Sequence, residues 1–108
     1  MKMNYKKLTN DLIKAKEMAE KAVMGEDGGT ANLDRMALAF PYAREEKVKQ
    51  AVMDAGLYTR GKQRWLGSRY FISIPVPAQG NDRCRQVDAM CKVMQEQGYD
   101  VLKFEQMD

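Results

Sequence analysis

Apolar positions between residues 4 and 24 recur at helical spacing: Tyr5, Leu8, Leu12, Ala15, Ala19, Ala22 and Val23 share one stripe among lysines and acids. That spacing predicts an amphipathic helix. Gly25 and the Glu-Asp-Gly-Gly-Thr that follows end it, because consecutive glycines supply turn conformations that other residues resist. Asn32 to Phe40, with Leu33, Met36, Leu38 and Phe40 in partial alternation, predicts a short strand stopped by Pro41. Tyr42 to Ala55 returns to helical spacing through Val48, Ala51, Val52 and Ala55, and Gly56 stands where a helix commonly stops. Thr59–Trp65 and Arg69–Val76 predict a hairpin joined across Leu66-Gly67-Ser68. In its second strand Tyr70, Ile72 and Ile74 point one way and Phe71, Ser73 and Pro75 the other, with Phe71 and Tyr99 assigned to the core. Pro75 and Pro77 block continuation of the sheet. A third helix runs from Asn81 to Gln97 with Val87, Met90, Cys91 and Met94 inward, and a last strand from Tyr99 to Gln106.

These elements predict one α+β domain over residues 1–108, an N-terminal helix (1–25) followed by a βαββαβ core (26–108). The order matches the ferredoxin-like arrangement, an antiparallel sheet with helices on one face. Many unrelated functions use that fold, so function has to be argued from a site. The small residues Ala15, Ala19 and Ala22 permit close helix approach, and they or the sheet offer a route to a homo-oligomer.

Composition removes several classes of function. No apolar run approaches the roughly 20 residues that span a bilayer, and the basic N-terminus lacks an apolar leader core, so the expected location is cytoplasmic. The chain has no histidine, and Cys84 and Cys91 alone supply neither a disulfide at that spacing nor a zinc site. No nucleophile elbow, P-loop or zinc-protease motif is present. Gly28-Gly29-Thr30 lacks the lysine and the strand-to-helix setting of a P-loop. The expectation is a protein with no catalytic residues, metal or cofactor.

Charge, by contrast, points to a partner. Between Leu57 and Arg85 stand Arg60, Lys62, Arg64, Arg69, Arg83 and Arg85 against the single acid Asp82. Such a local excess favours an anion. The segment Val76-Pro77-Ala78-Gln79-Gly80-Asn81-Asp82-Arg83-Cys84-Arg85 opens a helix, whose first amides lack partners and carry partial positive charge. Arg83 and Arg85, beside Gln79 and Asn81, are candidate phosphate and polar-edge contacts. Arg64 and Arg69 flank the hairpin turn, and Trp65 and Tyr58 are the candidate stacking rings. Asn32, Asp34 and Arg35 follow the glycine-rich loop and could meet a ribose or a base edge. A compact phosphorylated ligand suits these few arginines better than a long nucleic-acid track, for which no RNP-like strand, KH loop or helix-turn-helix is seen.

At Asp27-Gly28-Gly29-Thr30-Ala31-Asn32-Leu33-Asp34, Ala78-Gln79-Gly80-Asn81-Asp82-Arg83 and Gly98-Tyr99-Asp100, residues 25 to 108 resemble small proteins of phages and mobile elements of gut Firmicutes. Among these the chain is similar to the first Thoeris anti-defence family. That resemblance implies a homo-oligomeric sponge in a bacterial host cell. It would sequester a cyclic nucleotide immune signal, of cyclic ADP-ribose type or a cyclic oligonucleotide, without cleaving it. It also implies a pocket between subunits, with arginines on phosphates and an aromatic ring on adenine. Arg83, Arg85, Arg64 and Trp65 suit those parts by their chemistry. The alternative reading is a protein-binding inhibitor of a bacterial defence nuclease, or a small nucleic-acid-binding module.

Overall fold

A computed structural model describes residues 3–25, 28–29, 33–40 and 42–105. The elements are α1 (Tyr5–Ala22), β1 (Arg35–Ala39), α2 (Glu45–Asp54), β2 (Lys62–Arg64), β3 (Ser68–Ile72), α3 (Gly80–Glu96) and β4 (Asp100–Phe104). The protein is α+β, with three helices and a four-stranded antiparallel sheet in the order β2-β3-β1-β4. Every pair of neighbouring strands is antiparallel, and β1, which is third in the order, joins the β2–β3 hairpin to β4.

Local chemistry explains the element ends. The Asn4 side chain accepts the Lys7 amide at 2.9 Å and so caps α1. α2 and α3 stop in the same way. Gly56 and Gly98 take positive φ (82° and 89°), and Leu57 and Tyr99 donate back to the carbonyls of Val52 and Met94. This is the Schellman closure, and it turns Leu57 and Tyr99 towards the core. The hairpin strands are shorter than the sequence pattern suggests. β2 begins only at Lys62, and β3 ends at Ile72, beyond which the Ser73 amide donates to the Tyr58 carbonyl.

The core lies between the helices and one side of the sheet. Leu8, Leu12, Ala15 and Ala19 of α1 meet Val48, Ala51 and Val52 of α2, Met90 and Met94 of α3, and Met36, Leu38, Tyr70 and Ile72 of the sheet. The alanines let α1 lie close against its neighbours, and Thr9 Oγ1 donates to the Ala51 carbonyl of α2 at 3.2 Å. The Tyr99 hydroxyl donates to Asp11 Oδ2 at 2.7 Å, which ties the start of β4 to α1. Among the described residues no helix is long and apolar enough to cross a membrane.

Two tyrosines test this packing. The Tyr70 hydroxyl is buried and has no hydrogen-bond partner among the described residues. A buried unsatisfied polar group costs about 1–3 kcal/mol, so Tyr70→Phe is expected to raise unfolding free energy by about 1 kcal/mol in urea titrations. Burial, and then the hydrogen bond to Asp11, hold the Tyr99 hydroxyl above its ordinary value. The folded state therefore keeps a proton that the unfolded chain releases near pH 10. Tyr99 should contribute its full stability below about pH 10 and lose it as pH rises further, an alkaline decline that Tyr99→Phe should weaken.

Candidate functional site

Alternation along the strands sends a second set of side chains to the opposite face of the sheet. Ala37 is wholly buried there, between its register partners Phe71 of β3 and Leu102 of β4. The Trp65 ring lies with Phe71 (5.7 Å between centroids) and edge-on to Phe104 (5.0 Å), and Phe71 and Phe104 themselves meet at 5.1 Å. Phe71 is therefore not part of the helix-covered core, which corrects the sequence assignment. The period of two in β3 places it opposite Tyr70 and Ile72.

Beside this aromatic cluster is a cavity of about 310 Å³. Arg35 enters it from the first residue of β1, Arg60 from the segment before β2, and Arg83 from the first turns of α3. Tyr58, Phe71, Gln63 and Ser73 complete much of its wall, and among the described residues no carboxylate lines it. Among the described residues, Arg35, Arg60 and Arg83 form no ion pair. Arg83 is oriented by a 2.7 Å hydrogen bond from its Nε to the Asp34 carbonyl. Burial, and then the neighbouring Arg35 charge, lower its pKa, while Asp34 opposes the shift. The result is a concave site with convergent positive charge, an aromatic wall and a few neutral polar groups.

The sequence candidates separate clearly. Arg35 and Arg83 meet in the cavity. Arg85 does not line it; its Nη1 donates to Asp82 Oδ1 at 3.1 Å. Asp82, only 2% exposed, also accepts the Met24 amide at 2.9 Å. The Asn81 amide donates to the Gly28 carbonyl at 2.7 Å, so part of the start of α3 is satisfied within the chain. Gly29 packs so close to Asn81 that a Cβ would lie 3.0 Å from its Oδ1. Gln79 and Asn81 are exposed, outside the cavity lining. Asn32 lies outside the described residues.

Other candidates are used in holding the fold. Arg69 is 6% exposed; it donates to the carbonyls of Leu66, Ala37 and Asp100 and pairs with Asp100 Oδ1 at 3.0 Å. Asp34 is buried with Lys103 Nζ at 3.6 Å. Lys103 also meets Asp88 (2.8 Å) and the Cys84 sulfur (3.0 Å). Burial alone would lower the Lys103 pKa, but the hydrogen bonds to Asp88 and Cys84 raise it. Arg64 is exposed, and alternation along β2 puts it on the opposite side from Gln63. Trp65 sits in the aromatic cluster beside the cavity rather than in its lining.

Sequence reading missed Arg60, Gln63 and Phe71 as lining residues. Arg60 was visible only as one charge of a basic run, whereas Tyr58, an aromatic candidate in the sequence, does line the cavity. A second groove of about 420 Å³ between α1 and α2 carries Lys6, Lys47 and Asp54, charges of both signs. Among the described residues no group of three or more metal-ligating side chains is present. Comparisons with family models, curated proteins and solved structures find no match to this chain.

These roles predict opposite effects on stability. Asp82→Ala breaks a buried charge network and should cost about 3 kcal/mol. Arg35→Ala removes a like charge beside Arg83, so unfolding free energy should stay within about 0.5 kcal/mol of the parent or rise slightly. Chemical denaturation of both variants distinguishes the framework residue from the cavity residue.

Proposed function

We propose that the protein binds a small phosphorylated nucleotide in the Arg35–Arg60–Arg83 cavity and sequesters it without cleaving it. The observation that carries this reading is the convergence of three guanidiniums on one cavity that, among the described residues, no carboxylate lines. Guanidinium forks match phosphate oxygens in both geometry and charge, and a bound anion would relieve their mutual repulsion. Tyr58 and Phe71 supply ring surface for a base, while Gln63 and Ser73 offer polar contacts. The chain has no histidine and, among the described residues, no carboxylate or thiol lines the cavity, which favours holding the ligand over transforming it.

The element order β1α2β2β3α3β4 and the sheet order support a ferredoxin-like reading in which the helices cover one face. The resemblance to anti-defence sponges gives this binding a biological setting. The ligand would be a cyclic nucleotide immune signal, and the protein a homo-oligomer in the cytoplasm of a bacterial host. A protein-binding inhibitor is the second reading, favoured by the exposed Leu66 beside Arg64 at the hairpin tip.

Native mass spectrometry with cyclic ADP-ribose isomers and cyclic di- and trinucleotides tests the proposal. The expected result is retention of an intact nucleotide, recovered unchanged after denaturation. Arg35→Ala combined with Arg60→Ala should abolish retention while circular dichroism shows the fold preserved. An unchanged adduct in that variant would refute the site. Absence of any adduct, with a stable protein complex recovered from host lysate, would favour the inhibitor.

A further inference from the structure

Three guanidiniums on one cavity set a condition on the charge of its occupant. Arg35, Arg60 and Arg83 reach the cavity from three separate chain segments. The Arg83 Nε is held by the Asp34 carbonyl, and its Nη groups make no hydrogen bond among the described residues. That fork is thus oriented before a ligand arrives. A phosphodiester has two non-bridging oxygens and one negative charge, enough to satisfy one fork bidentately. A terminal phosphate offers three oxygens and about −1.5 to −2 charge, and a diphosphate more of both, in the same small volume. The cavity, about 310 Å³, is at the small end of ligand clefts, which span about 300–1,000 Å³. Tyr58 and Phe71 provide the ring surface of its wall, in keeping with one base.

We propose that the cavity takes a single-base nucleotide whose phosphate charges are adjacent, of the nucleoside 5′-diphosphate kind. This inference rests on the nucleotide reading and narrows it. A pyrophosphate-bearing signal meets the charge condition, whereas the separated phosphodiesters of a cyclic oligonucleotide do not.

Isothermal titration of the full chain at low salt with ADP, 3′,5′-cyclic AMP, cyclic di-AMP and inorganic pyrophosphate tests the proposal. ADP should bind at least about tenfold more tightly than the two cyclic nucleotides, since one further charge-assisted hydrogen bond exceeds the energy of a tenfold change, and more tightly than pyrophosphate, which lacks the base. Arg60→Met should weaken ADP by about tenfold without lowering the melting temperature, because Arg60 is exposed and makes no described hydrogen bond. Binding of cyclic AMP or cyclic di-AMP within about threefold of ADP would overturn the adjacent-charge condition yet leave nucleotide binding standing. Pyrophosphate binding as tightly as ADP would overturn the base subsite. Failure of all four ligands would overturn the adjacent-charge proposal, and retention or loss of the cyclic ADP-ribose isomers in native mass spectrometry decides the nucleotide reading separately.

Discussion

The first turns of α3 join the parts of this molecule that the sequence keeps far apart. Asp82, buried at the start of that helix, receives the Met24 amide from the end of α1 and a hydrogen bond from Arg85. Asn81 donates to Gly28, Arg83 donates to Asp34, and Gln86 exchanges hydrogen bonds with both backbone groups of Val76. One helical opening therefore fixes the exit of α1, the entry to β1 and the chain after β3. A buried carboxylate with hydrogen-bonded partners is costly to disturb, so these contacts act as a single polar staple. Arg83 belongs to this staple through its hydrogen bond to Asp34, and it also lines the cavity.

The sheet's two faces divide the labour. On the helix side, large aliphatic and methionine side chains fill the core. On the other side, Arg69 binds carbonyls of the hairpin turn, β1 and β4, and the Trp65–Phe71–Phe104 cluster covers Ala37. This second face is packed where the aromatics meet and concave beside them. A preorganised wall beside a charged recess reduces the ordering that a ligand must impose on binding.

Much of the fold was legible in the sequence because its elements are signalled locally. The Leu8–Leu12–Ala15–Ala19 stripe, the glycines after α2 and α3, and the alternation through Tyr70 and Ile72 each report on a few neighbouring residues. The candidate site was legible only in part. Arg35 and Arg83 could be nominated from their settings, but their meeting depends on β1 register and on the Asp34–Arg83 contact across 49 positions. Arg85 and Arg69 look the same in sequence, yet neighbouring acids and carbonyls claim them. Phe71 has the hydrophobicity of a core residue, and only the face it occupies decides otherwise.

The proximity of Arg35 to Arg83 also bears on how the molecule responds to its solvent. Two like charges in a partly buried recess repel each other, and ions within the Debye length, about 8 Å at physiological ionic strength, screen that repulsion. The recess thus carries a local electrostatic stress whose size is set by the surrounding electrolyte. Buffers rich in multivalent oxyanions should make it sturdier than chloride at equal ionic strength, because such anions can occupy the recess as well as screen it.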